Sequence, residues 1–88
     1  NTDNIVYLLG DDAYQASSIG HILYNNYGCK IWILRKPDDL CGLKNPLVIL
    51  CGLYWRRKDY KNFYDMFMST GANVVTWLKL IADGVVER

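Results

Sequence analysis

The chain has 88 residues, of which 51% are hydrophobic and 22% charged, with a formal net charge of +1. That length supports one domain over residues 1–88, with no room for a separate catalytic domain, and the composition is that of a folding chain rather than a disordered tail. A charge so near neutral excludes a global field that would draw in nucleic acid or an acidic membrane, so any basic site must be local.

Residues 5–9 are a run of Ile, Val, Tyr and Leu closed by Gly10, and they predict the first strand. Over residues 12–27, Ala16, Ile19, Gly20, Leu23 and Tyr27 recur at helical spacing, and Gly28 follows as a left-handed cap. Residues 29–34 read as the second strand. The connection 35–46 contains Pro37-Asp38-Asp39-Leu40, suited to a short helical turn. Residues 47–51 predict a third strand. A second helix over 58–69 places Tyr60, Phe63, Tyr64, Phe67 and Met68 on one stripe, with Gly71 beyond it. Residues 73–78 complete the set as a fourth strand.

Strand, helix, strand, repeated, fits two architectures. One is a small Rossmann/flavodoxin-like α/β fold, a parallel sheet of about four strands with two main helices; the other is a ferredoxin-like α+β fold with an antiparallel sheet. The runs 5–9 and 47–51 are apolar on both sides, as buried parallel strands are, and this favours the parallel sheet in the order 2-1-3-4. The connection 35–46 is close to the minimum of about a dozen residues for a parallel crossover. Two helices leave part of such a sheet uncovered. Met66, off the second helix stripe, and Trp32 and Trp77 on strands are candidates for that apolar surface, so a homo-oligomer is expected.

Cys29, Cys41 and Cys51 are an odd set, two of them in or beside apolar runs, which suits a reducing compartment better than a disulfide framework. One histidine argues against a zinc site, and no cofactor motif is present. The longest apolar stretch, from Leu47 to Trp55, falls short of a membrane span, and residues 1–10 lack a basic-then-apolar signal pattern. The expectation is a soluble cytoplasmic protein.

In an open parallel sheet, ligands bind beyond the C-terminal strand ends, where the strand order reverses. That edge collects Gly10, Asp11 and Asp12, then Arg35 and Lys36, then Tyr54, Trp55, Arg56, Arg57 and Lys58. Gly10-Asp11-Asp12 lacks the other glycines of a dinucleotide fingerprint, and two carboxylates at a helix start repel a pyrophosphate. Asp11 as helix cap and Asp12 as its dipole complement is the structural reading; an acid, base or magnesium ligand is the chemical one. The run Arg56-Arg57-Lys58 opposes the dipole of the helix it enters, a cost that an anionic partner reverses. Its structural alternative is a solvated turn balanced by Asp59 and by Asp11 or Asp12. Cys41 and His21 form no catalytic pair, since His21 falls in mid-helix, away from this edge.

Three functions follow. The first is a non-catalytic interaction or regulatory module that binds a protein partner or an anionic ligand around Tyr54, Trp55, Arg56, Arg57, Lys58, Arg35 and Lys36. The second is a small enzyme acting on a phosphorylated or nucleotide-derived substrate, with Asp11 or Asp12 as the chemical group. The third, disfavoured by the neutral charge, is single-stranded nucleic-acid binding by Tyr54, Trp55 and the basic run.

Overall fold

The computed structural model describes residues 5–86. The four apolar runs form β1 (Ile5–Leu9), β2 (Lys30–Ile33), β3 (Leu47–Leu50) and β4 (Asn73–Thr76) of one sheet in the order β2-β1-β3-β4. All three pairings are parallel, with Tyr7 beside Trp32 and Val48, and Val48 beside Val74. The Rossmann/flavodoxin-like topology is therefore the one adopted, and the antiparallel alternative is not.

The two central strands are buried on both faces, which is why their sequences do not alternate. Val6, Leu8 and Ile49 lie in one core cluster, with Ala16 and Leu23 from α1 (Ala13–Tyr27). Leu9, Val48 and Leu50 lie in the other, with Phe63 and Phe67 from α2 (Tyr60–Thr70). Crossovers of one hand that run in opposite directions from the sheet centre put their helices on opposite faces, as here. Gly28 and Gly71 close the two helices in the left-handed conformation, at φ 69° and 68°. Pro37–Leu40 forms a 3-10 turn whose Leu40 is buried under the α2 face.

Three features differ from the sequence reading. The last run is strand only to Thr76, after which α3 (Trp77–Ala82) begins, with the Thr76 hydroxyl accepting from the Lys79 N–H at 3.0 Å. Trp77 is accordingly a buried helix residue of the α1-side core, not exposed strand surface, because Trp77, Leu80 and Ile81 recur at helical spacing. The phase of α2 is rotated: Met66 packs on the core, whereas Tyr64 and Met68 face solvent. Trp32 is exposed, as expected of an edge strand.

Among the described residues no helix is long and apolar enough to cross a membrane. The three cysteines are free thiols, Cys51 buried, Cys29 half-buried and Cys41 exposed.

Candidate functional site

The strand order reverses between β1 and β3, so the crevice of interest lies between the loops that follow them. Gly10 leaves β1 at the point where the chain turns into α1, and a Cβ there would stand 3.0 Å from the Asp12 carbonyl. Gly52 leaves β3 at φ 56°, a left-handed conformation that glycine adopts without strain. Its missing side chain makes room for Gln15 of α1.

Gln15 occupies the crevice itself. Its Oε1 accepts from the Asp11 N–H and from the Leu53 N–H, both at 3.3 Å, and so joins the loop after β1 to the loop after β3. The sequence Asp12-Ala13-Tyr14-Gln15 has capping-box spacing, and Asp12 Oδ1 does accept from the Gln15 N–H at 3.0 Å. The helix cap is therefore Asp12 and not Asp11, because Asp12 holds the extended backbone that directs its carboxylate at the first turn. Asp11, half-buried, stays on the rim of the neighbouring cleft.

The basic run divides by role. Arg57, with a side chain only 14% exposed, donates from Nε and Nη2 to the Asp59 carboxylate at 2.8 and 3.1 Å. It also donates from Nη1 to the Gly10 carbonyl at 3.1 Å and from Nη2 to the Arg35 carbonyl at 3.0 Å. Its guanidinium carbon lies 5.0 Å from the centroid of the Phe63 ring. One planar fork thus ties together the loops that follow β1, β2 and β3. The hydrogen bond from Arg57 also holds the Asp59 carboxyl below its ordinary range.

Arg56 and Lys58 flank that clamp and are exposed. With Asp11, Arg57 and Asp59 they line an open cleft of ≈ 460 Å³. Trp55 is 58% exposed and lies edge-on to Tyr54, with ring centroids 5.1 Å apart. Tyr54 packs on the α2-side core and against Tyr60, so it anchors the turn Tyr54–Arg56 more than it offers a free face. Burial, with Tyr54 and Tyr64 nearby, raises the Tyr60 phenol.

Arg35 and Lys36 sit in a loop ordered by Asp39, whose Oδ2 accepts from both their N–H groups at 2.9 and 3.2 Å. Both residues are exposed, but Lys36 lines a separate cleft with Pro37, Asp38, Asn62, Asp65 and Met66. The structure thus brings Asp11, Arg56, Arg57 and Lys58 into one cleft, contributes Arg35 through its carbonyl, and places Lys36 elsewhere.

Cys41 lies in the connection after the 3-10 turn, and His21 borders a groove between α1 and β2. Burial pushes the Cys51 thiol up to about 12, which keeps it protonated and unreactive. No group of three His, Cys, Asp or Glu side chains suited to a metal ion occurs among the described residues.

Sequence reasoning did not find Gln15 or the Gly10 carbonyl. The capping-box spacing from Asp12 to Gln15 is the one signal that could have pointed to Gln15, though not to its reach to Leu53 across the crevice. Comparison with protein-family models, curated proteins and solved structures gave no match to this chain.

Proposed function

We propose that this domain is an interaction or regulatory module that takes up an anionic group, carried by a small molecule or a protein partner, at the C-terminal edge of its sheet, and that it binds without turnover. The observation that carries this reading is the division of labour in the basic run. Arg57 is immobilised by Asp59 and two carbonyls, while Arg56 and Lys58 flank it exposed in one cleft. A rigid support that presents two solvated cations, with Trp55 beside them, gives an anion a preorganised landing point. Arg35, next to the clamp, extends the positive surface, whereas Lys36 stands in a separate cleft with Asp38 and Asp65.

Titration with inorganic pyrophosphate, followed by amide chemical shifts, tests the reading. Changes centred on residues 56–58, abolished in Arg56→Glu/Lys58→Glu, are expected; changes that persist in that double variant, or none in the parent, refute it. Native mass spectrometry of the gently purified chain reads the same question for a ligand carried through purification.

A second reading rests on Asp11, which lines the same cleft as the cations. A small enzyme acting on a phosphorylated or nucleotide-derived substrate would use Asp11 as acid or base and Arg56 and Lys58 to hold the anion. It requires that Asp11→Asn abolish turnover while leaving the fold intact.

A further inference from the structure

Strand β2 ends the sheet beside β1, and the direction of its main-chain groups follows from one hydrogen bond. In a parallel ladder, alternate residues of an edge strand turn both N–H and C=O toward the neighbour, and the residues between turn both away. The Leu34 N–H donates to the Leu8 carbonyl at 2.8 Å, so Leu34, Trp32 and Lys30 face β1. Ile31 and Ile33 therefore present their N–H and C=O groups outward, and among the described residues no strand lies there. Natural edges are usually blunted by inward charges, proline or a bulge. Lys30 puts one charge at the start of β2, but Ile31-Trp32-Ile33 beyond it has no charge, proline or bulge.

The helix above this edge is equally bare of charge. The 15 residues of α1 include no Asp, Glu, Lys or Arg. Ser17, Gly20, His21 and Tyr24 of α1 and Ile31 and Ile33 of β2 line an open, largely apolar groove of ≈ 490 Å³ along the strand, with Lys30 at its end as the one charged lining residue. Tyr14, one turn further on, continues the same stripe. Depletion of charge with enrichment in aromatics is the compositional mark of an interface core.

We propose that two copies of this chain pair antiparallel through β2, about a two-fold axis at Trp32, to form one continuous eight-stranded sheet. A two-fold contact sets the same patch of each copy against the other, so a patch of one charge repels itself and an uncharged one does not. α2 and α3, which precede and follow the other edge strand, carry Lys61 and Asp65 and Lys79 respectively, whereas the only charge at α1 is its N-cap Asp12, outside the helix and at the far end from Tyr24.

Register follows from the outward groups. Pairing Ile31 with Ile33 of the second copy, in both directions, uses every outward N–H and C=O of the strand. The shift centred on Ile31 instead pairs Ile33 with Cys29, whose N–H is already donated to the Leu23 carbonyl at 3.3 Å. With the axis at Trp32, the two indoles meet at a non-hydrogen-bonded position, where side chains approach most closely. Lys30 then lies opposite Leu34, so no like charges face each other. Tyr14, Tyr24 and Trp32 are 80%, 65% and 53% exposed. At roughly 200 Å² per large aromatic, their open surface is about 400 Å², half of the ~800 Å² that each partner contributes to a stable interface. The groove walls and the strand backbone add to this.

The test is light scattering on the full chain at high-micromolar concentration, with three variants. The parent is expected at twice 10.2 kDa, and Trp32→Lys at 10.2 kDa with an unchanged far-ultraviolet spectrum. In a Cys41→Ser background, oxidation is expected to link Trp32→Cys into a covalent dimer and to leave Lys30→Cys unlinked, because only Cα atoms about 4.4–6.8 Å apart accept a disulfide. A monomeric parent overturns the proposal, whether or not a foreign strand occupies the edge. So does a dimer that survives Trp32→Lys, failure of Trp32→Cys to link, or linkage through Lys30→Cys.

Discussion

Replacing Arg57 with alanine removes a side chain that joins three strand-end loops, and the cost can be worked group by group. Asp59, its side chain 35% exposed, regains water when the guanidinium leaves, and the Arg35 carbonyl lies in an exposed residue. Gly10 is buried, so its carbonyl loses a partner without a ready substitute, at about 1–3 kcal/mol. Loss of the contact with the Phe63 ring adds about 0.5–1 kcal/mol. The sum, roughly 1.5–4 kcal/mol, corresponds to a fall in melting temperature of about 6–32 °C for a domain of this size. Arg56→Ala, at the adjacent but exposed residue, is expected within about 0.5 kcal/mol of the parent. Arg57→Lys keeps the charge without the planar fork and recovers only a minor part of the loss. Urea denaturation monitored by tryptophan fluorescence gives all three values. Equal stability of Arg57→Lys and the parent, or equal effects of Arg56→Ala and Arg57→Ala, refutes the clamp.

Gly52→Ala is expected to lose at least about 1–2 kcal/mol from its left-handed backbone and to displace Gln15 as well, whereas Gly42→Ala, at φ 84° with open space around it, bears only the backbone cost; denaturation midpoints of the two variants make the comparison. Thiol labelling in the native state is expected to modify Cys41 first, Cys29 more slowly and Cys51 only on unfolding, since Cys51 is buried and protonated; early modification of Cys51 contradicts its placement. The folded-state pKa of Asp59 is depressed, so its pairing with Arg57 stabilises the fold above the ordinary carboxylate range, near 3.9, and that contribution is lost as pH falls through the lower folded value. Stability measured against pH is expected to fall less steeply in Asp59→Asn than in the parent over that acidic window.

The parallel sheet was legible because its central strands are short of polar residues on both sides, and the placement of the helices followed from the stripe in α1 and the glycine caps. The boundary of β4 was not legible, because Val74, Val75 and Trp77 all suit a strand and only the Thr76 cap marks the turn into α3. Periodicity gave α2 its helix but not its phase, since Tyr64 and Met66 are both apolar enough to face the core and only packing chooses Met66. Choosing Asp12 over Asp11 as the cap depends on a backbone angle. In the basic run, nothing local separates Arg57 from Arg56 and Lys58. The distinction comes from Gly10 and Arg35, far away in sequence, and from the glycine spacing that lets the loops meet.

The Gln15 amide has one more consequence. The Asp11 and Leu53 N–H groups point at a spot where many sheets of this topology hold a ligand oxygen, and here that spot already holds one, supplied by the chain itself. A tethered occupant acts at a high effective concentration, so an incoming anion reaches those two donors only by evicting it. The crevice is thus a seat taken from birth, and for an anion bound as proposed above only the cations on its rim stand open.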